Sequence, residues 1–371
     1  MSFRLILDPA DTMAIGDGRP FNQADTGRAI AASVFPPPPD TVYGAARVAC
    51  ALALGWDGVG NWSAEIANVM GSWTEEGNFK ISGPFFSVEG AGALLPIPSH
   101  VIFGTNPDEL ARLEPSDQAI ETDLGDLRLP GMPPFEETRD YQPMAGRWGK
   151  AGAVQKLLAG GTVTPDELGW SQNSDASLPN KPDKLPGWSL DDLAAAEYRV
   201  GLARDSVTHK AIDGQLYAAV RRGLRKCVEM FVEVDGMAWS DNATVAVPLG
   251  GETRFAFARD DTSLIPGVTT VATETYLVYF ASPVVMSPPV PGKAVAGLPG
   301  TLVMATITGV ASHGGRTRNT AGKGTRSPSN TVLPAGSVLF MERDGDQSRL
   351  PDRIGEKTHM GYGRFLIGEW K

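Results

Sequence analysis

The spacing of apolar and polar residues is most regular where a run of four prolines ends. Residues 35–54 are FPPPPDTVYGAARVACALAL, and after the prolines the small and apolar side chains recur every three or four positions, the period of one helix face. Prolines favour an extended approach, Asp40 or Thr41 can cap the helix, and Gly55 can end it. The pattern predicts a helix that begins at Asp40 and buries a narrow apolar stripe.

Most of the remaining apolar runs are short and favour strands, because glycine, proline and Asp-Gly turns bound them. Helices are predicted at 107–113 and 148–160, whereas the acidic stretch 105–140 is predicted to be irregular and the polar stretch 162–186 to be a loop. Many strands with few helices favour an α+β fold over a parallel βαβ series. The predicted strands cover residues 3–7, 79–88, 94–98, 197–203, 215–222, 227–234, 245–248, 274–281, 302–310, 337–341 and 364–368.

The length of 371 residues predicts two domains, and 42% hydrophobic with 20% charged residues is typical of a folded globular protein. No run of eighteen apolar residues occurs, and MSFRLILDP lacks the features of a signal peptide, so we expect a cytoplasmic protein. Cys50 and Cys227 are far apart and are predicted to be buried rather than bonded or metal-bound.

Charge is distributed unevenly along the chain. The net charge is -10, but residues 1–200 carry 14 Lys and Arg against 27 Asp and Glu, whereas residues 201–371 carry 19 against 16. The stretch 105–140 holds ten carboxylates and three arginines, which indicates a solvated face or a protein-docking surface. A negative total therefore does not exclude a local groove for RNA.

The sequence lacks the common motifs of catalysis and metal binding. Its four histidines, at 100, 209, 313 and 359, form no metal-ligand pattern, and neither a GxSxG motif nor a GxxxxGK[ST] phosphate loop occurs. We therefore expect no metal, no cofactor and no catalytic residue.

Three segments have the composition of an anion-binding surface. On the helix from Asp40, Tyr43 and Arg47 lie one turn apart, and Gly44 leaves backbone uncovered where the helix dipole favours a phosphate. The alternative is a packed helix whose arginine is solvated.

The second segment, residues 313–326 (HGGRTRNTAGKGTR), is rich in glycine and free of acidic residues. As a flexible cationic loop it can wrap a phosphate backbone; the alternative is a solvated surface loop. Its candidate contacts are His313, Arg316, Arg318, Lys323 and Arg326.

The third segment, residues 359–370 (HMGYGRFLIGEW), places Gly361 and Gly363 around Tyr362, with Arg364 opening a strand. An ordinary glycine hairpin is one interpretation. The other is close approach to a nucleic acid, with Tyr362 stacking on a base and Arg364 contacting a phosphate.

Six blocks occur in one order along the chain: DGRPF, TVYGAAR, VGLARDSVTHKAIDGQLY, LGGE, LPAGSVLF and GYGRFLIGEW. In this order the chain resembles the family of the third subunit of the type III-B CRISPR Cmr effector complex, a RAMP-superfamily family. The resemblance spans nearly the whole length.

The resemblance implies two ferredoxin-like, RNA-recognition-type RAMP domains, at 1–200 with the acidic insertion and at 201–371 with the basic and glycine-rich loops. It implies a subunit without catalytic role that binds the 5′ handle of the guide RNA. The implied protein partners are the large palm-domain subunit and the first backbone RAMP subunit, with target RNA contacted indirectly and no membrane. By position, Gly44, Arg47, Gly361 and Gly363 are the implied handle contacts.

Two features depart from the resemblance, because neither the segment 313–326 nor the acidic stretch aligns with a family motif. The RNA role of 313–326 rests on charge alone. One rival function is a RAMP endoribonuclease that processes guide precursors, with His313 as the first candidate for acid-base chemistry. Another is a docking subunit that makes no contact with RNA.

Overall fold

The computed structural model describes residues 2–16, 30–71, 77–104, 109–122, 125–131, 141–170, 185–239, 244–261, 274–286, 298, 300–307, 311–313, 316–318, 324–326, 330–343 and 350–370. Helices are few in these ranges. They are α1 (Pro39–Ala53), α2 (Ala64–Met70), α3 (Ala151–Leu158), α4 (Pro165–Leu168) and α5 (Leu190–Leu193).

Strands form most of the regular structure of the described chain, so the fold is mostly β with few helices. The strands are β1 (Ser2–Pro9), β2 (Ile30–Ala32), β3 (Lys80–Val88), β4 (Gly92–Pro96), β5 (Val101–Gly104), β6 (Glu109–Arg112), β7 (Glu114–Thr122), β8 (Gly125–Gly131), β9 (Tyr141–Pro143), β10 (Trp148–Lys150), β11 (Ala194–Arg204), β12 (Ala211–Leu224), β13 (Val228–Asp235), β14 (Val245–Pro248), β15 (Phe255–Asp261), β16 (Thr275–Phe280), β17 (Val284–Val285), β18 (Thr301–Thr306), β19 (Ala311–His313), β20 (Arg316–Arg318), β21 (Gly324–Arg326), β22 (Asn330–Leu333), β23 (Val338–Glu342), β24 (Met360–Gly361) and β25 (Phe365–Gly368).

The first and larger sheet is organised around β1. Its strand order is β10-β4-β3-β13-β1-β15-β14, and β24 pairs with β3 in parallel. Strand β1 is antiparallel to both β13 and β15. Successive residues of β1 point to opposite faces: Leu5 and Leu7 lie in the core under α1, and Ile6 lies in a second core on the other face.

Helix α1 covers one face of this sheet. Ala45, Ala46 and Ala49 are fully buried there, and their small side chains let the helix lie close to the strands. Cys50 is buried in the same core, and Cys227 is half-buried. Because α1 has an apolar side of this kind, its existence follows directly from the spacing in the sequence.

The ends of α1 agree only in part with the sequence prediction. The helix begins at Pro39, and Pro38 is its N-cap without a side-chain hydrogen bond, so the predicted cap by Asp40 or Thr41 is wrong. Proline suits the first helical position because its fixed φ matches the helix and it has no N–H to satisfy. The predicted stop is confirmed, since Gly55 follows the C-cap with φ 93°.

The second sheet has the order β18-β23-β16-β25. Strand β16 lies between β23 and β25 and is antiparallel to both. Its residues alternate between two cores. Leu277 and Tyr279 lie in the core that faces the first sheet, whereas Tyr276, Val278 and Phe280 lie in a separate core on the opposite face of the second sheet.

A shared core joins the two sheets. Ile6, Phe85 and Phe231 enter it from the first sheet, and α3 lies between the sheets, where the Glu369 N–H donates to the Leu158 carbonyl at 2.8 Å. The Tyr279 hydroxyl donates to the Pro96 carbonyl at 2.6 Å. The sheets are thus held together by apolar packing and by specific hydrogen bonds.

The acidic stretch is not irregular where the structure describes it. Residues 109–112 form β6 rather than the predicted helix, and β7 and β8 form a hairpin. Leu127 packs on the outer core of the second sheet, and Arg128 lies 3.1 Å from Glu342. Here β6 pairs with the preceding strand β5, and β7 pairs with the following strand β8, so strand pairing overrides the local sequence preference.

Other differences concern helix boundaries. Residues 148–150 form β10, so α3 begins at Ala151 instead of Trp148, and the stretch predicted as a loop from residue 162 includes α4, which a capping box starts at Thr164. Helix α2 was not predicted. No helix in the described ranges is both long and apolar enough to span a bilayer.

Strands β11 and β12 form a long antiparallel hairpin, the β11–β12 ribbon (residues 194–224), which is extended by β2 in parallel. Strands from both sides of residue 200 share the first sheet, because β1 pairs with β13 and β15. The domain boundary at residue 200 stays a prediction, and with that boundary the first sheet would contain strands from both domains.

Candidate nucleic-acid interface

The structure brings together two segments that the sequence analysis singled out separately. They are residues 39–44 of α1 and residues 359–364, named here the α1–β24 junction. The His359 ring lies edge-on to the Tyr43 ring at 5.5 Å between centroids, and a Cβ on Gly361 would lie 3.3 Å from Pro39 Cβ. Strand β24 enters this position by pairing with β3.

The two glycines of the junction are required by the fold itself. Gly361 has φ 105° and Gly363 has φ 75°, a region that favours glycine. A Cβ on Gly361 would lie 2.7 Å from the Gly83 carbonyl oxygen, and one on Gly363 would overlap the Ile354 carbonyl oxygen. The Gly363 N–H donates to the Pro283 carbonyl at 2.8 Å. The close backbone approach at these positions is therefore to the chain's own backbone.

Both tyrosines of the junction point inward. Tyr362 is 1% exposed, so the stacking face that the sequence suggested is not on the surface. Burial, together with the charge of Asp40, raises the pKa of the Tyr362 hydroxyl. Tyr43 is also buried, against Phe79 at 5.6 Å between ring centroids.

Arg47 binds groups within the chain. It is 8% exposed, and its Nη2 donates to the carbonyls of Met70 and Gly71, each at 3.2 Å. These carbonyls end α2, where the helix dipole is negative, and the guanidinium also lies 4.6 Å from the centroid of the Trp62 ring. Burial lowers the pKa of Arg47. The side chain thus holds α2 against α1, and its predicted RNA contact stays a prediction.

Gly44 has a different environment. It is exposed, and a Cβ built on it would meet no atom within 4 Å. Because α1 begins at Pro39, Gly44 lies in the second turn instead of the first. The helix N-terminus is a poor anion site, since Pro38 and Pro39 have no N–H and the carboxylate of Asp40 accepts from the Thr41 N–H at 3.0 Å.

The cations around the junction differ in how far they are neutralised. Arg353 pairs with Asp235 at 3.2 Å and donates to the Thr358 carbonyl at 2.8 Å, and burial lowers its pKa. Arg364 lies 4.0 Å from Glu233. Lys357, partly exposed, has no ion pair among the described residues. Neither Arg353 nor Lys357 was selected from the sequence, because neither lies in a cluster of like residues.

The basic segment 313–326 contains strands where a flexible loop was predicted. His313 ends β19, and Arg316 faces Arg326 in the register of β20 and β21, with Arg318 opposite Gly324. Alternating threonine and arginine suit such pairing. The side chains of His313, Arg316, Arg318 and Arg326 are not described, and Lys323 lies outside the described residues. Strand β19 connects through β22 and β17 to Glu356, the neighbour of Lys357.

The β11–β12 ribbon carries an exposed apolar stripe that the sequence analysis missed. Tyr198 is 77% exposed, Val200 and Leu202 follow it at two-residue spacing, and Val207 at the turn is 84% exposed. Arg204 of the ribbon donates to the His209 carbonyl at 3.0 Å. The alternation of Tyr198, Val200 and Leu202 predicts a strand, but exposure of its apolar face cannot be inferred from it.

In the described part of the chain, no group of three or more His, Cys, Asp and Glu side chains is placed to hold a metal ion. The junction presents backbone and partly neutralised cations, and the ribbon presents exposed apolar side chains. Surfaces of these two kinds suit binding by shape, backbone contact and stacking.

Comparison with known proteins identifies the family. Residues 5–370 match the family model described as CRISPR-associated protein (Cas_Cmr3), whereas no curated protein matches the chain. The chain is similar to a subunit in "Cryo-EM structure of the Type III-B Cmr-beta bound to cognate target RNA", with 17% identity, 91% of this chain and 86% of that chain covered, and a TM-score of 0.48.

It is also similar to a chain in "Crystal structure of Csm3-Csm4 subcomplex in the type III-A CRISPR-Cas interference complex", with 12% identity, full coverage of both chains and a TM-score of 0.39. The family match covers nearly every residue, from β1 to the C-terminal strand. The chain therefore belongs to the Cas_Cmr3 family of CRISPR-associated proteins.

Proposed function

We propose that this chain is the subunit of a type III-B CRISPR effector complex that holds the 5′ handle of the guide RNA. It is a scaffold without catalytic role that contacts the large palm-domain subunit and the first backbone RAMP subunit, and target RNA only indirectly. Family membership over residues 5–370 supports this assignment. The geometry of the α1–β24 junction supports the position of the RNA contact.

The adjacency of α1 and β24 carries the proposal. The resemblance implied handle contacts in two segments that are far apart in the sequence, and these segments lie against each other at Tyr43 and His359. At this junction the exposed backbone around Gly44 can admit a sugar-phosphate chain without a side chain in the way. Lys357 supplies a cation for a phosphate.

The β11–β12 ribbon extends the proposed contact. Its exposed Tyr198 offers a ring face on which an unstacked base can lie, and Val200 and Leu202 continue the apolar stripe. In this arrangement the junction fixes the backbone of the handle and the ribbon receives splayed bases. Recognition is then by shape and stacking rather than by a dense cationic groove, in keeping with the net charge of -10.

We also propose that the two sheets are the two ferredoxin-like units of the family. In chain order the first unit uses β1, β3, β13 and β15, and the second uses β16, β18, β23 and β25. When the strands of each unit are numbered along the chain, their order across the sheet is 4-1-3-2. This is the strand order of the ferredoxin-like fold. Under this proposal the domain boundary lies between Asp261 and Thr275 rather than at residue 200.

Gly44→Leu tests the handle contact. The substitution adds a side chain to the open surface of the junction, at a position where a Cβ meets no atom within 4 Å, so we expect guide RNA retention in the assembled complex to fall about tenfold. Gly152→Leu is the matched control, because Gly152 is an exposed glycine of α3 that also has no atom within 4 Å of its Cβ position. Equal retention by both variants across a salt series would contradict the proposal.

The absence of catalysis is tested separately. Purified protein incubated with a guide precursor should leave the precursor intact. If the precursor is cleaved and His313→Ala abolishes the cleavage, the non-catalytic role is wrong and the endoribonuclease alternative is supported. Crosslinking of the 5′ handle in the complex distinguishes a docking subunit, which would yield no crosslink to residues 39–44 or 356–364.

A further inference from the structure

The core shared with the second sheet covers only part of one face of the first sheet. Ile6, Phe85 and Phe231 are buried in the core shared with the second sheet. On the same face, beyond β1, Phe255 and Phe257 of β15 remain 46% and 42% exposed. The apolar face of the sheet therefore continues past the edge of the shared core to a part that the described residues leave open.

The open part is a defined apolar surface, the Phe255–Phe257 patch, formed by Phe255, Phe257, Ala246 and Pro248. The two rings are edge-to-face with 5.6 Å between centroids. Ala246 stands opposite Phe257 and Pro248 opposite Phe255 in the β14–β15 register, and both are exposed. The alternate residues Ala256 and Ala258 are buried under α1, so the strand is firmly held while its aromatic side faces outward.

Most of the described charged side chains at the rim of the patch are in ion pairs, and one carboxylate of this set remains unpaired. Arg259 is paired with Glu229 at 2.6 Å, and Arg254 is paired with Asp11. Asp8 stands opposite Phe257 in the β1–β15 register, is exposed, and has no ion pair among the described residues. The patch thus presents aromatic rings beside one carboxylate whose charge is not compensated.

We propose that the Phe255–Phe257 patch docks another protein subunit of the effector complex through an apolar side chain flanked by lysine or arginine. The choice of partner rests on the proposed function. Exposed aromatic pairs of this kind are typical of the centre of a protein interface, and a cation beside the anchor complements Asp8.

Two other occupants fit the charges less well. Phenylalanine rings can stack on RNA bases, but the nearby arginines are paired and Asp8 would repel a phosphate. In a symmetric dimer the same patch would face itself, which would bring two copies of Asp8 close together. A basic segment of a different protein meets neither difficulty.

Phe255→Ser/Phe257→Ser tests the docking surface. The probe is the complex assembled from the remaining subunits and guide RNA, and the measured quantity is its dissociation constant for this chain. We expect the constant to rise at least about tenfold because the aromatic anchors are lost. The control Leu54→Ser/Val59→Ser removes two exposed apolar side chains elsewhere and should change it less than about twofold. Equal effects of the two variants would overturn the proposal, provided that both keep the parent's thermal midpoint.

The handle contact is measured in parallel so that the two proposals fail separately. The Phe255→Ser/Phe257→Ser chain should still crosslink to the 5′ handle wherever it is incorporated, whereas Gly44→Leu should lose RNA and keep its protein partner. A photo-reactive residue at Ala246 should crosslink to a protein subunit in a product that nuclease leaves intact. A crosslink to RNA, or to a second copy of this chain, would overturn the proposal.

Asp8 provides the electrostatic test. Asp8→Lys should weaken the association about fivefold at low salt, with a smaller effect at high salt because the interaction is screened. Asp8→Asn should weaken it less than Asp8→Lys does. If Asp8→Lys tightens the association, the partner is acidic or is a nucleic acid, and the proposed chemistry is wrong.

Discussion

The α1–β24 junction and the β11–β12 ribbon differ in what their side chains already contact. At the junction, Tyr362 is buried and Gly363 is packed against neighbouring backbone, and Arg47, one turn further along α1, is also buried. On the ribbon, Tyr198 and Val200 have most of their surface in solvent. Residue types that suggest binding in a sequence therefore maintain the fold at the junction, whereas residue types that suggest a core are exposed on the ribbon.

The largest effect should come from the junction, at Gly363. In Gly363→Ala the new Cβ would overlap the Ile354 carbonyl oxygen at a positive φ, so we expect a loss of about 3 kcal/mol or more in the free energy of unfolding. Gly44→Ala is the contrast within the same surface. It should stabilise the chain by about 0.5–1 kcal/mol, because alanine is the better helix former and space is available. Denaturant unfolding measures both, and similar values would show that the glycines are not differently constrained.

Arg47 comes next. Arg47→Met keeps the length of the side chain but leaves the Met70 and Gly71 carbonyls without this donor and removes the cation beside Trp62. We expect a loss of about 2–3 kcal/mol and faster proteolysis within α2. Arg204→Met on the ribbon, whose arginine donates one exposed hydrogen bond, should cost less than about 0.5 kcal/mol. If Arg47→Met unfolds no more easily than Arg204→Met, Arg47 is not the brace that its contacts indicate.

Features that depend on residues close together in the sequence could be predicted, whereas features that depend on residues far apart in the sequence could not. The spacing in α1 and the Gly55 stop depend on neighbours within a turn or two, and both were predicted correctly. The sequence predicts a helix at 107–113, but residues 109–112 form β6 because they pair with the preceding strand β5, and β5 is itself paired with β9, a strand much later in the sequence that the residue pattern does not reveal. Whether Arg47 faces solvent depends on α2, which was not predicted. The exposure of Phe255 depends on where the second sheet ends, which no local pattern records.

A histidine in the shared core should make the free energy of unfolding depend on pH, by an amount smaller than the effects at Gly363 and Arg47. His100 is buried edge-on to Phe340 at 5.5 Å between ring centroids, and burial, with a smaller contribution from the charge of Arg112, lowers its pKa to about 3. The unfolded chain, with an ordinary histidine pKa, binds the proton more readily, so stability falls as the pH drops below about 6.5. We expect a loss of roughly 2 kcal/mol between pH 7 and pH 5 from this group.

His100→Leu should remove that dependence, because leucine does not titrate and suits an apolar site. Unfolding free energies measured at pH 7 and pH 5 for both chains give the comparison. An unaltered pH dependence in His100→Leu would mean that other groups cause the loss.

The smallest effect on stability, and the sharpest separation of the two regions, is expected at the ribbon. Tyr198→Ser/Val200→Ser removes side chains that pack on little of the chain, so the free energy of unfolding should change by less than about 0.5 kcal/mol. Loss of a stacking ring should nevertheless reduce guide RNA retention severalfold in the assembled complex. Reduced retention without reduced stability would assign the ribbon to binding, whereas reduced stability with normal retention would mean that its apolar stripe supports the fold, as the buried groups of the junction do.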